Sequence, residues 1–125
     1  MTQQLKKVLR GVAVLLVAAV MLAACGDPGA GSNAAAEVAS RAQQPVDAEL
    51  SQIYDRSCKS CHTVAATGAP LTGDAVAWAP RMNKGMNTLV DNVVNGFGGM
   101  PPFGLCMACD VEQFEALITF MAREP

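Results

Sequence analysis

An all-α fold is predicted for residues 48–125, and three observations predict it. Apolar residues there recur at helical spacing in three separate segments. No stretch alternates as a half-buried strand does. Loops rich in Gly and Pro, Thr67–Gly73 and Gly96–Gly104, separate the segments. The first helix follows Asp47, where Leu50, Ile53, Tyr54 and Cys58 recur at i, i+3, i+4 and i+8. The second carries Met86, Leu89, Val90, Val93 and Val94, and Asn95-Gly96 supplies its stop. In the third, Phe114, Leu117, Ile118 and Met121 line one face, and Asp110 with Gln113 forms a capping box at its start. A three-helix domain of this size with long loops buries little surface on its own. Something besides side chains is expected to fill its centre.

Ahead of the domain lie two segments of different character. Lys6, Lys7 and Arg10 precede an uncharged apolar run over residues 11–24 that ends in small residues, the pattern of an export signal. Fourteen residues fall short of the roughly 20 that span a bilayer. Residues 1–24 are therefore expected to be cleaved. The run ends Leu22-Ala23-Ala24-Cys25, which resembles the bacterial lipoprotein box, with Cys25 as the lipidated residue. An ordinary signal peptide with a chance cysteine is the other reading. Residues 25–47 are rich in Gly, Ala, Ser and Pro without apolar period, and read as a lipid-anchored flexible linker. Ala34–Ala42 is helix-prone but has no apolar face to bury.

Composition narrows the function. With 125 residues, 51% hydrophobic and 16% charged, the chain is neither disordered nor large enough for a multi-domain enzyme. Removal of residues 1–24 leaves six basic against eleven acidic residues, a formal charge of −5. No basic excess would attract nucleic acid. His62 is the only histidine, so no site can use two.

Five cysteines divide into Cys25 and two pairs. The first pair is Cys58-Lys59-Ser60-Cys61-His62, the C-x-x-C-H signature of covalent haem attachment. Two thiols straddling one helical turn can add to the two vinyl groups of one porphyrin edge, and the next residue offers imidazole to the iron. A disulfide or half a zinc site would also place two cysteines this way, but zinc needs four ligands. The second pair, Cys106 and Cys109, is followed by Asp110 and cannot repeat the haem motif.

At these residues the sequence resembles the class I cytochromes c, specifically the cytochrome c-five-like subgroup. Cys58-x-x-Cys61-His62 is followed in order by Gly68-Ala69-Pro70-Leu71-Thr72-Gly73-Asp74 and Ala77-Trp78-Ala79-Pro80-Arg81. Gly98-Gly99-Met100-Pro101-Pro102 and Cys106-Met107-Ala108-Cys109 complete the series. The resemblance covers roughly residues 48–124. It implies a small cytochrome c fold, with three main helices and long loops around one covalent haem c. The family often has a small residue eight positions before the first haem cysteine, where the terminal helices cross. Leu50 stands there, and Tyr54 with Phe120 supplies the aromatic pair of that crossing.

The resemblance, read with the residues, assigns roles. His62 is one axial iron ligand. Of the five methionines in the domain, Met86 and Met121 sit on apolar helix faces, and Met107 lies between two cysteines. Met82 lies close to the other haem-contact candidates and stays open. Met100 has the best context for the second axial position, because Gly98 and Gly99 let the backbone approach a porphyrin and Pro101-Pro102 stiffen the chain beyond it. Thioether opposite imidazole raises the reduction potential and leaves no open iron position. The resemblance makes the Pro70 carbonyl the acceptor for the second nitrogen of His62. Trp78 is either a propionate donor through its indole N–H or a core residue on the haem edge. Arg81 is either a propionate partner or a solvated charge. Cys106 and Cys109 are expected to form a disulfide, as in the family, that fixes the turn into the last helix.

These readings converge on a monohaem electron carrier, not an enzyme, exported to the periplasmic side and held at the inner or outer membrane by Cys25. Its partners are expected to be redox proteins, a respiratory reductase or oxidase, without nucleic acid or small-molecule substrate. Lys59, the one charge inside the attachment motif, is expected on the docking rim, and an acidic carrier suits a basic patch on a partner. The alternatives are a peroxidase-like or gas-sensing haem domain, if Met100 does not ligate, and a haem-free structural lipoprotein.

Overall fold

The computed structural model describes residues 28–124, with side chains from residue 33 onward. The expected signal segment and Cys25 lie outside the described residues. The compact unit that holds the site runs from Asn33 to Pro125. Among the described residues it is all-helical. The single β-bridge, between Phe97 and Met100, closes a tight turn and builds no sheet.

Helix α1 spans Pro28–Ala42, where a flexible linker was expected. Alanine favours helix intrinsically, and from residue 33 on the helix has partners. Those partners are polar, so apolar periodicity gives no sign of them. Glu37 accepts from the Ala65 amide at 2.8 Å, and Ser40 Oγ donates to the His62 carbonyl at 3.1 Å.

One continuous helix then runs from Ala48 to His62 in three parts. Helix α2 is Ala48–Ile53, capped by Asp47, whose side chain accepts from the Leu50 amide. A wide π turn comes next at Tyr54–Cys58, where the Lys59 amide reaches back to the Tyr54 carbonyl. Helix α3, Lys59–His62, completes it. The wide turn resets the register, so that Ile53, Tyr54, Ser57 and His62 are the buried positions.

Helix α4, Ala75–Met82, has no counterpart among the three predicted helices. Its signal is weak for a physical reason: it is short, Pro80 sits inside it, and Trp78 is its one fully buried residue. Asp74 caps it by accepting from the Ala77 amide. Helix α5, Met86–Asn95, and helix α6, Val111–Ala122, match the predicted apolar faces. Gly96, at φ +81°, ends α5, and the Asp110–Gln113 capping box is closed in both directions at 2.8 and 3.1 Å.

The core forms where the Ala48–His62 helix meets α6. Tyr54 and Phe120 meet edge to face, with centroids 5.1 Å apart at 80°. Ile53, Leu117, Ile118 and Met121 fill the space around them, and Leu50 packs at the margin. This packing fixes one end of the helix whose other end carries Cys58, Cys61 and His62.

Candidate functional site

A cavity of about 590 Å³ opens beside that end. Cys58, Cys61 and His62 supply one part of its wall, from the π turn and α3. Apolar side chains of α5 and α6, among them Leu89, Val93, Leu117 and Ile118, supply another. The 96–105 loop brings Phe97, Met100 and Phe103. That loop is held tightly: the Phe97 and Met100 amides donate to each other's carbonyls at 3.1 and 3.0 Å. A Cβ on Gly96 would lie 3.0 Å from the Met100 carbonyl oxygen, so only glycine fits there. Phe103 and Leu105 adopt positive φ, 58° and 69°, just before the Cys106–Cys109 disulfide, whose Cα atoms are 5.4 Å apart.

His62 is buried, and its Nδ1 lies 2.8 Å from the Pro70 carbonyl. A carbonyl only accepts, so Nδ1 carries the proton and Nε2 keeps its lone pair. Burial pushes the imidazole pKa down, against a smaller upward pull from Pro70, and the nearby Arg81 charge lowers it further. The ring is therefore held neutral, the form that ligates a metal. Trp78 stacks on it, with centroids 5.6 Å apart and planes 23° from parallel. Burial pushes the Cys58 thiol up to about 11, whereas Cys61 is exposed.

The residues of the open readings take up defined places around the cavity. The Trp78 indole N–H donates to the Leu71 carbonyl at 2.9 Å, and the side chain is buried on the cavity wall. Arg81 lines the cavity while one of its nitrogens donates to the Ala77 carbonyl. Met100 and the core residue Met121 line the cavity; Met82 and Met86 pack elsewhere against the core. Met107 is 74% exposed. Lys59 is not on the cavity rim. Its ammonium bonds Asp55 and Gln44, each at 3.0 Å, because helical spacing turns it away from the cysteines on either side.

Some cavity and site residues escaped the sequence reading. Lys84 and Asn92 line the cavity as Arg81 does, and among the described residues no carboxylate lines it. Glu37, Ser40, Gln43 and Gln44 bind the loop and helix next to His62. Their signal was polar rather than apolar spacing of three and four, which the search for buried faces passes over.

The donor set can be tested against what it could hold. Cys58 and Cys61 carry free thiols. Among the described residues no three His, Cys, Asp or Glu side chains converge to hold a bare metal ion. One neutral imidazole, one thioether, two thiols and a largely apolar cavity instead suit an iron that brings its own equatorial ligands.

Comparison with known proteins agrees with that chemistry. Residues 45–121 match the family model described as cytochrome C oxidase, cbb3-type, subunit III. Cytochrome c-555 of Chlorobaculum tepidum is 52% identical over 46 residues, which cover 37% of this chain and 43% of that protein. Cytochrome c5 of Azotobacter vinelandii is 33% identical over 72 residues, covering 56% of this chain and 87% of that protein. A chain in the crystal structure of an electron transfer complex of nitrite reductase with cytochrome c superposes with a TM-score of 0.53 at 35% identity. That match covers 63% of this chain and 100% of that one. The chain thus spans about half the length of the cytochrome c-555 relatives, at 43% and 54%, and most of the cytochrome c5.

Proposed function

Because the chain belongs to the family of the cbb3-type cytochrome c oxidase subunit III, we propose that it is a monohaem c-type cytochrome that carries single electrons between redox proteins. Family membership implies covalently bound haem c, and the haem supplies a one-electron iron couple when bound. The observation that carries the reading is the Cys58-x-x-Cys61-His62 segment on the wall of a cavity that Met100 also lines. Cys58 and Cys61 would hold the haem through thioether links, each thiol adding across one vinyl group. Burial keeps Cys58 protonated until it reacts, so it resists premature oxidation.

His62 ligates through Nε2, with Pro70 holding the ring and Trp78 bracing its face. Met100, which also lines the cavity, would offer its thioether to the iron. Among the described residues Arg81 and Lys84 are the Arg and Lys side chains on the cavity wall, and they would hold the propionates. The protein performs no bond chemistry on a substrate; it sets the potential by ligand type and burial.

The lipoprotein reading of Cys25 adds a periplasmic, membrane-tethered location. The partner is a reductase or oxidase, in keeping with the nitrite reductase complex that the structural relative belongs to. Encounters of this kind use small, transient interfaces.

The test is the holoprotein made in a host competent for cytochrome maturation. Intact mass should include one haem that survives denaturation, and the ferric spectrum should show the weak near-red band of sulfur ligation. Met100→Ala should lose that band and bind carbon monoxide once reduced. Bare polypeptide would overturn the reading, and prompt carbon monoxide binding by the unaltered reduced protein would favour a reactive haem instead. Cys25→Ser should move the protein from membrane to soluble fractions.

A further inference from the structure

The loop between His62 and Gly73 holds the carbonyl that orients the ligand histidine, yet it has little regular structure of its own. Its only helical piece is a 3-10 turn at Ala65–Thr67, and Gly68 comes after it in the left-handed region. Three side chains from α1 and the residue just after it reach this loop. Glu37 accepts from the Ala65 amide at 2.8 Å, Ser40 donates to the His62 carbonyl at 3.1 Å, and Gln43 donates to the Thr72 carbonyl at 3.1 Å. Along the chain, Pro70 lies between the Ala65 and Thr72 pins.

Two further features show that the fit is built. Ser40 is 1% exposed, deep burial for a polar side chain on an otherwise exposed helix. A Cβ on Gly73 would lie 2.0 Å from the Gln43 amide nitrogen, so Gln43 reaches Thr72 only because residue 73 has no side chain. Thr72 is the hub. Its amide donates to the His62 carbonyl at 2.7 Å, its carbonyl accepts from Gln43, and its hydroxyl pairs with Tyr54 at 2.9 Å. Residues 33–44 lie outside the segment matched by the family model, which begins at residue 45.

We propose that residues 33–44 are a clamp on the His62 side of the site, with Glu37, Ser40 and Gln43 as positioning residues that set the His62 Nδ1–H···O=C Pro70 bond and thereby the reduction potential. The potential part rests on the cytochrome reading above; the clamping of the loop does not. A strong Nδ1–H···O bond gives the imidazole more basic character and favours the higher oxidation state of the metal it binds. A loosened loop lengthens that bond on average, so the potential rises.

The experiment uses the full chain with Ser40→Ala, Gln43→Ala, Glu37→Ala and the conservative Glu37→Gln, which keeps an acceptor for Ala65. Two quantities are read: exchange of the Thr72 amide with solvent, and the midpoint potential of the haem-loaded protein. The three alanine variants should each speed Thr72 exchange by roughly fivefold, the effect of one lost hydrogen bond. They should also shift the potential upward, while Glu37→Gln stays at the native value. Glu37 is at the rim of the contact, so its pair of variants decides the matter even if Ser40→Ala prevents folding. Unchanged exchange and potential in the alanine variants would overturn the clamp. Faster exchange at an unchanged potential would overturn its role in tuning. Intact mass, read first, tests the cytochrome reading by itself; exchange and potential, both measured on the haem-loaded protein, then test the clamp.

Discussion

Tyr54 is fully buried, and its hydroxyl has Thr72 Oγ1 as partner at 2.9 Å. Tyr54→Phe keeps the edge-to-face contact with Phe120 but strands the Thr72 hydroxyl in a dry site. Leaving a buried hydroxyl unpaired costs about 1–2 kcal/mol, and a urea melt should report that loss. Burial, the largest influence on Tyr54, lifts its pKa above the ordinary 10.0; the bond to Thr72 pulls the other way, and the Asp55 charge adds to the rise. The folded state therefore holds this proton more tightly than the unfolded state. The corresponding stability is complete below pH 10 and drains away as pH climbs through the folded value. In Tyr54→Phe that alkaline loss should be absent, and an equal slope in both proteins would refute the assignment. The tyrosine and its aromatic partner were visible in the sequence through the cytochrome resemblance. Thr72 was not, because a threonine in a Gly- and Pro-rich loop has no periodicity to mark it as a hub.

Among the elements, the 96–105 loop is the most demanding of its sequence. Gly96 stands at φ +81° with its α-hydrogens facing the Met100 carbonyl oxygen and the Pro102 nitrogen. Gly96→Ala adds a Cβ 3.0 Å from the first and 3.1 Å from the second, on a backbone conformation that costs an L-residue about 1–2 kcal/mol. The turn carrying Met100 must move, so the near-red sulfur band should weaken and the melting temperature should fall. A full-strength band in Gly96→Ala would show that Met100 is held by something other than this turn. Legibility across the elements obeys one rule. Helices α5, α6 and the Ala48–His62 helix were readable because each turns three or more apolar side chains inward. Helix α4 offers only Trp78 and interrupts itself with Pro80. Helix α1 docks through Glu37 and Ser40, and a polar face looks the same whether it meets solvent or backbone amides. The cysteine-histidine segment was legible at once, since its chemistry is written in consecutive residues. The cavity wall formed by Lys84 and Asn92 required the fold.

At the scale of the whole molecule, net charge was countable from the sequence but its layout was not. Residues 33–124 carry six basic and ten acidic side chains. Arg41 is paired with Glu37 and Lys59 with Asp55, while Arg81 and Lys84 line the cavity. With the two ion pairs set aside, Arg56, Arg81, Lys84 and Arg123 stand against eight carboxylates, so the far field of the unit is negative. Lys59 is ion-paired with Asp55 at 3.0 Å, so it adds little net charge to that field. The field should instead show in the choice of partner. A small cationic oxidant should take electrons from the reduced protein faster at low ionic strength, and an anionic one of similar driving force should show the reverse trend. The screening length falls from about 30 Å at 0.01 M to about 3 Å at 1 M salt, which spans the change from a whole-molecule field to contact pairs alone. Stopped-flow rates over that range should therefore converge for the two oxidants as salt rises. Faster reaction with the anionic oxidant at low salt would mean that Arg81 and Lys84 govern approach to the cavity. Rates insensitive to salt would mean that docking is apolar and the surface charge serves solubility alone.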